Sequence, residues 1–285
     1  MCKALEINGL TKKYSDFSLN NINFSLETGS IMGFIGENGA GKTTTIKLIL
    51  NLIKRNSGSI KVFGLDNIQD EQKIKEQIGV VFDEGHIHGL LSLKQVDKIM
   101  PKIYLNWNKK LFDRYIFEFN LPKDKEIEKF SRGMKMKLSI AIALAHEPKL
   151  LLLDEATAGL DPVVRNEILD VFREFIQDEQ HSILMSSHIT SDLEKISDYV
   201  TFLHQGNVIL TGNKDEILEQ YGVAKCARDE VSKVDSKYII GLNNGDFGSE
   251  FLVSNKEEFR NNYPKIIVDN ANLEEIMLHY VKEEK

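Results

Sequence analysis

The sequence predicts an α/β fold with a mostly parallel central sheet over residues 1–212, followed by a small α+β appendage. Three observations predict it. Strand-like runs rich in Val, Ile and Phe alternate with helix-compatible segments along that stretch. Ile31-Met32-Gly33-Phe34-Ile35 is apolar throughout, the pattern of a strand buried on both faces. Leu150-Leu151-Leu152-Leu153 is a second such run, and it ends on two adjacent carboxylates, Asp154 and Glu155.

A Gly-rich turn follows the first of these strands. Beyond it, Ile46, Ile49, Leu50 and Ile53 fall at helical spacing, which predicts a helix from Thr43 to Ile53. Asn56-Ser57-Gly58-Ser59 reads as a turn, and Ile60 and Val62 alternate as in another strand. Residues 86–147 read as a largely helical insertion, with Leu111, Tyr115 and Phe119 in helical register and Pro122 ending that element. Leu138 to Ala145 reads as a buried helix. Asp161-Pro162 is a helix start, an N-cap followed by proline at the first helical position. Ser191-Asp192-Leu193-Glu194 has capping-box spacing, so a helix is expected just after His188. After Gly212 the character changes. A short charged helix, Lys214 to Tyr221, precedes strand-like Tyr238-Ile239-Ile240, Phe251-Leu252-Val253 and Ile266-Ile267-Val268. A last helix carries Leu273, Ile276, Met277, Tyr280 and Val281 on one face. The domain reading is therefore 1–213, with a helical part at about 86–147, and an accessory unit at 214–285 without chemistry of its own.

The composition suits a folded globular chain. Of 285 residues, 42% are hydrophobic and 28% charged, enough for a sizeable core. The net charge of −7 and the lack of a basic run argue against a nucleic-acid binder, so no nucleic-acid partner is expected. The two cysteines, Cys2 and Cys226, lie far apart and outside any metal-ligand spacing, which suits a reduced cytosolic chain. The N-terminus has no signal-peptide core, and no uncharged apolar stretch approaches the roughly 20 residues that span a bilayer.

Chemistry concentrates in a few segments. Gly36-Glu37-Asn38-Gly39-Ala40-Gly41-Lys42-Thr43 matches GxxxxGK[ST] in full, between a strand and a helix. Gly36, Gly39 and Gly41 let successive backbone N–H groups turn inward as an anion-binding nest, with Asn38, Ala40 and Thr44 in the same cradle. The following helix adds its positive end. Lys42 is expected to reach the terminal phosphates and the Thr43 hydroxyl to ligate Mg²⁺. Asp154 stands at the carboxyl end of its strand, where open α/β sheets bind ligands, and is expected to hold Mg²⁺ through water. Glu155 is placed to polarise an attacking water.

The order of the remaining pieces completes a pattern. Phe130-Ser131-Arg132-Gly133-Met134 precedes the leucine strand, Gly159-Leu160-Asp161 follows it, and Ser186-Ser187-His188 ends a further apolar strand. This set resembles the ATP-binding cassette (ABC) ATPases over residues 3–212, as Walker A, signature, Walker B, D-loop and switch histidine. The resemblance implies a P-loop NTPase core with a helical insertion and an antiparallel β subdomain. It implies ATP and Mg²⁺ as ligands, with Tyr14 stacked on adenine. It also implies that Ser131, Arg132 and Gly133 face the γ-phosphate held by a second subunit, and that His188 helps hold Glu155 and the water. By resemblance to the ABC-2-like exporters of peptides or antibiotics, two such subunits drive permease subunits encoded separately, from the inner face of the membrane. The other readings are a cassette serving translation or DNA, and a regulatory ATP sensor. Against them stand a single cassette, only about ninety residues between loop and signature where a long coiled coil would sit, and the presence of both Glu155 and His188.

Three residues depart from the family's pattern. Asp83 stands where glutamine is usual; it still offers oxygen to Mg²⁺ but cannot donate a hydrogen bond when ionised. Arg132 and Met134 replace a glycine and a glutamine of the signature, and Arg132 is read either as charge near phosphate or as a solvated side chain. Ala156 replaces a proline. Glu84, His86 and His88 are read as a solvated loop rather than a metal site, Lys135 and Lys137 as a solvated helix face, and Tyr104 with Trp107 as packing or a partner-facing patch.

Overall fold

The structure, a computed structural model, describes residues 3–83, 87–246 and 248–283. Along the chain, β1 (Lys3–Lys13) and β2 (Ser18–Glu27) form an antiparallel pair. β3 (Ile31–Ile35) is buried at every residue and runs through the glycine loop into α1 (Lys42–Ile49). β4 (Ser57–Val62) and β5 (Leu65–Asp66) complete a four-stranded antiparallel sheet in the order β2-β1-β4-β5. After α2 (Glu71–Lys75) and β6 (Ile78–Phe82) come the helices of the insertion: α3 (Leu93–Ile99), α4 (Lys109–Glu118) and α5 (Arg132–Ala145). The chain then returns through β7 (Leu150–Asp154), α6 (Pro162–Phe175), β8 (Ser182–Ser187), α7 (Thr190–Ile196), β9 (Tyr199–His204) and β10 (Asn207–Asn213). These strands make a six-stranded sheet in the order β10-β9-β3-β8-β7-β6, parallel except at the β10 edge.

Strand alternation divides the core between the two faces of this sheet. Met32, Phe34, Leu150, Leu152 and Leu184 pack against α1 and the antiparallel sheet. Ile31, Ile35, Leu151, Leu153, Ile183 and Met185 point the other way, toward α5 and Phe172 of α6. The leucine run needs no polar break because both its faces are covered.

The remainder comprises α8 (Lys214–Gln220), β11 (Gly222–Cys226), α9 (Arg228–Val231), β12 (Ile240–Asn244), β13 (Ser249–Val253), α10 (Lys256–Asn262), β14 (Ile267–Asn270) and α11 (Leu273–Glu283). Its strands form a third sheet in the order β12-β13-β11-β14, antiparallel throughout. Tyr238, Phe251 and Phe259 give it a small core of its own. Leu273 and Ile276 of α11 join the main core instead, and Leu273 N donates to Glu194 Oε1 at 2.7 Å.

Several boundaries differ from the sequence reading. Helix α1 stops at Ile49 because Asn51 takes a left-handed backbone (φ 54°) and Leu52 N bonds back to Lys47 O. Helix α4 stops at Glu118, ahead of Pro122, by the same device at Asn120 (φ 51°), with Leu121 N bonded to Ile116 O. The capping box at Ser191 does not form, since α7 already begins at Thr190, and the Ser187 hydroxyl accepts from Ile189 N instead. Tyr238 closes a short 3₁₀ turn, its ring buried against Phe259 and Tyr263, while β11 carries strand pairing that its sequence did not announce. Lys137 is not a solvated residue: only 12% of its side chain is exposed, and it pairs with Glu167 over the Phe119 ring. Asp161 caps α6 as expected, its Oδ1 accepting from Val163 N and Val164 N, both at 3.1 Å.

Candidate active site

The glycine loop joins the end of β3 to α1, and neighbouring segments crowd it. A Cβ at Gly36 would lie 2.4 Å from Leu203 O. Gly41, the N-cap of α1, has φ 112°, and a Cβ there would lie 2.4 Å from Leu19 Cδ2. Asn38 and Gly39 face outward, Ala40 is buried, Thr43 is exposed and Thr44 half-buried. Lys42 is 5% exposed and folds back into the loop. Its Nζ donates to Gly36 O at 2.7 Å and to Glu37 O at 3.2 Å, and lies 3.1 Å from Glu155 Oε1. A buried ammonium without an acceptor would be costly, and these three oxygens remove that cost.

Asp154 and Glu155 end β7 with different surroundings. Asp154 is buried, and Ser186 Oγ at the end of β8 donates to its Oδ1 at 2.7 Å. Glu155 has a left-handed backbone (φ 54°), a conformation that a non-glycine residue keeps only when its surroundings impose it. Ser186 imposes it here, its carbonyl and hydroxyl accepting from Glu155 N at 3.2 and 3.1 Å. The turned backbone aims the carboxylate at two groups at once. Oε1 faces Lys42, while Oε2 is 2.7 Å from His188 Nδ1 and accepts from His188 N at 3.4 Å. Facing a carboxylate, Nδ1 carries the ring proton. Lys42, Glu155 and His188 thus converge from the ends of the neighbouring strands β3, β7 and β8, at the carboxyl edge of the parallel sheet.

The other expected residues lie around this centre. Ser131 caps α5, its hydroxyl accepting from Met134 N at 3.2 Å, and a Cβ at Gly133 would meet Val164 of α6 at 3.3 Å. Tyr14 is 45% exposed beside Phe17, with Lys12 Nζ 5.0 Å from its ring centre. Asp83 follows β6, whose Phe82 stands in register with Asp154, and its carboxylate accepts from Arg132. Arg132 is exposed, with that surface ion pair as its side-chain partner. Glu84 and His86 lie outside the described residues, as does Cys2; His88 is exposed and its Nδ1 accepts from Leu90 N at 3.4 Å. Tyr104 stacks on His146 and Trp107 packs on Phe112.

Two residues of the site escaped the sequence reading. Ser186 was visible only as the neighbour of His188. His204, buried at the end of β9, places Nδ1 3.0 Å from Glu37 Oε1 in the glycine loop. No local pattern links a loop glutamate to a histidine that far along the chain.

The sequence pattern of the family described as "ABC transporter" matches residues 19–158. The bacitracin transport ATP-binding protein BcrA of Bacillus licheniformis is 36% identical over 212 residues, covering 73% of this chain and 69% of that protein. The chain belongs to the ABC transporter family. It is an ATP-binding subunit and an ATPase of that family. The lantibiotic transport ATP-binding protein SrtF of Streptococcus pyogenes is 34% identical over 214 residues, 74% of this chain and 91% of that protein. Among solved structures, the ATP-binding subunit of an ABC transporter superposes with a TM-score of 0.68 at 28% identity, covering 76% of this chain and 92% of that one. The cbiO1 protein of Clostridium perfringens, part of the ABC transporter complex cbiONQ, superposes with a TM-score of 0.66, also at 28% identity, covering 77% and 92%. The P-loop NTPase fold of ABC ATPases is therefore the fold of this chain. Among the described residues, no helix is long and apolar enough to cross a membrane.

Proposed function

We propose that two such subunits close around ATP and hydrolyse it to drive a separate membrane permease that exports a peptide or antibiotic-like compound. The observation that carries the hydrolytic part is the single carboxylate of Glu155, poised between Lys42 and His188. Lys42 is partnered by Glu155 and by loop carbonyls. Arriving phosphates compete for that ammonium and release the carboxylate. Glu155 then accepts a proton from the attacking water, and His188 keeps the carboxylate aimed. The backbone of Gly39, Gly41 and Lys42 cradles the phosphates, and Tyr14 lies against adenine.

The donor set fits Mg²⁺. Thr43 offers an exposed hydroxyl and Asp154 a carboxylate already oriented by Ser186, hard oxygens of the kind Mg²⁺ takes alongside water and phosphate. Among the described residues no group of three His, Cys, Asp or Glu forms an independent metal cage. A metal here would neutralise phosphate charge.

Ser131 caps α5 and Gly133 in its first turn packs beside Val164 of α6 rather than at this chain's glycine loop, which supports a signature surface meant for the nucleotide of a second copy or a related subunit. The permease reading rests on a groove of about 760 Å³ between α2, β6 and the segment before α4. Leu52, Ile103 and Leu105 line it with 55%, 63% and 82% of their surfaces exposed, beside Val80 and Tyr104. An apolar groove of this kind suits the apolar face of a short cytoplasmic helix. The named relatives serve bacitracin and lantibiotic transport, which supports the cargo class.

Replacing Glu155 with Gln keeps the shape but removes the base. The variant is expected to bind ATP, to lose hydrolysis by about a hundredfold or more, and to accumulate as a dimer with ATP and Mg²⁺. Size-exclusion chromatography showing only monomer would overturn the paired-site mechanism.

A further inference from the structure

Asp83 and Arg132, two of the residues that depart from the family's pattern, meet each other. Arg132 Nη2 donates to Asp83 Oδ1 across 49 residues of sequence. Gly159 closes a third side, because a Cβ there would lie 2.6 Å from Arg132 Nη1 and 2.8 Å from Cζ. The guanidinium therefore lies over the backbone of the turn before α6 and is tethered at its tip by Asp83. Three segments join at this point: the end of β6, the first residue of α5 and the turn at Gly159. Arg132 and Asp83 are 53% and 42% exposed, and ion pairs this open contribute little to folding. Stability does not explain the pair. What the pair does fix is the direction of a planar, permanently charged side chain with five N–H donors, next to Ser131 and Gly133.

We infer that Asp83 serves the reaction as a positioning residue for Arg132, and that Arg132 contributes a charged contact to the nucleotide held by the opposing subunit. The inference rests on the paired-site reading above. It moves Asp83 away from the Mg²⁺ role that its place in the sequence suggests, since its carboxylate is engaged by Arg132. It also ties the signature to the permease groove, because Val80 in the groove wall and Asp83 lie three residues apart on and just beyond β6.

The test is a double-mutant cycle in ATP hydrolysis with Asp83→Asn, Arg132→Ala and the double variant, combined with a Mg²⁺ titration of each. Each single variant is expected to lower kcat by roughly fivefold, the scale of one interaction of about 1 kcal/mol. The double variant should lose no more than either single one. The Mg²⁺ concentration for half-maximal rate should stay within about twofold of the parent in all three. Losses that multiply in the double variant overturn the inference. So does a Mg²⁺ requirement that rises severalfold in Asp83→Asn alone, which would return Asp83 to the metal. Thermal unfolding within a few degrees of the parent shows that each variant is folded, as the exposure of both residues predicts. Dimer formation by Glu155→Gln is read separately. If it fails, the paired-site reading fails; if it holds while the cycle is additive, only the present inference does.

Discussion

The backbone of Glu155 would be strained in isolation, and Ser186 is what holds it. One serine orients both carboxylates of the site, through its hydroxyl on Asp154 and through its hydroxyl and carbonyl on Glu155 N. The division of labour follows from that geometry. Asp154 is fixed and buried, whereas the Glu155 side chain is 15% exposed and, among the described residues, is held by Lys42 and His188. Lys42 is central to this arrangement, with two carbonyl partners in the loop and the Glu155 carboxylate as a third. Replacing it with Ala removes the phosphate-facing charge and leaves Glu155 without its cation. Calorimetry is expected to show ATP affinity reduced by at least tenfold, and unchanged affinity would remove Lys42 from the site. Lys42 and Glu155 were both legible from sequence because each sits in a short motif with a fixed spacing. His204 was not, since its contact with Glu37 exists only after β9 is laid beside β3.

At the scale of elements, α5 links the signature to the sheet. Its N-terminus is capped by Ser131, its apolar residues from Leu138 to Ala145 are buried, and its C-cap residue His146 reaches β6. His146 is 1% exposed, stacks on Tyr104 with ring centres 4.2 Å apart, and places Nε2 3.0 Å from Ile78 O. A carbonyl accepts only, so Nε2 carries the proton of a neutral ring. Burial holds the His146 pKa below its ordinary value, outweighing the opposite pull of the nearby Ile78 and Ile142 carbonyls. In the unfolded chain the same residue titrates near 6.5. The unfolded state therefore binds more protons as pH falls through that value, so the contribution is complete above about pH 6.5 and is lost below it. The unfolding midpoint should fall more steeply between about pH 7.5 and pH 5 in the parent than in His146→Gln. Parallel curves in the two proteins would remove His146 from the acid response. Burial of α5 was legible from its apolar run, but the ends of α1 and α4 were not. A left-handed asparagine closes each of them ahead of the residue where the apolar spacing or the proline placed the end.

In the whole molecule, the central sheet gathers Lys42, Glu155 and His188 at its carboxyl edge and lends β6 to the groove. Glu71, Gln72, Lys75 and Glu76 of α2 and its C-terminus give that groove a charged rim around an apolar floor. The floor is assembled from segments distant in sequence, Leu50 to Leu52, Ile78 to Val80 and Ile103 to Asn106, so no single run predicted it. Trp107 belongs to the packing beneath, on Phe112, rather than to the exposed surface. A carboxylate in the middle of the floor should oppose docking of an apolar helix. Leu105→Asp is expected to reduce the fraction that sediments with permease-containing membranes by about tenfold, the cost of burying an unpaired charge at an interface. Undiminished sedimentation would place the permease on another face. The C-terminal unit has its own sheet and a small aromatic core, yet α11 shares the main core through Leu273 and Ile276.

The sequence by itself determined the parallel core, the glycine loop between β3 and α1, the paired carboxylates at the end of β7 and the histidine after β8. Each of these depends on residues close together in the chain, where strand alternation, backbone freedom and motif spacing act directly. Tertiary structure alone decided that Glu155 bridges Lys42 and His188, that Ser186 imposes its backbone, that Asp83 is held by Arg132, and that three distant segments form one apolar groove. Those are relations between strands that neighbour one another in the order β3-β8-β7-β6, an order set by burying both faces of the sheet rather than by succession along the chain.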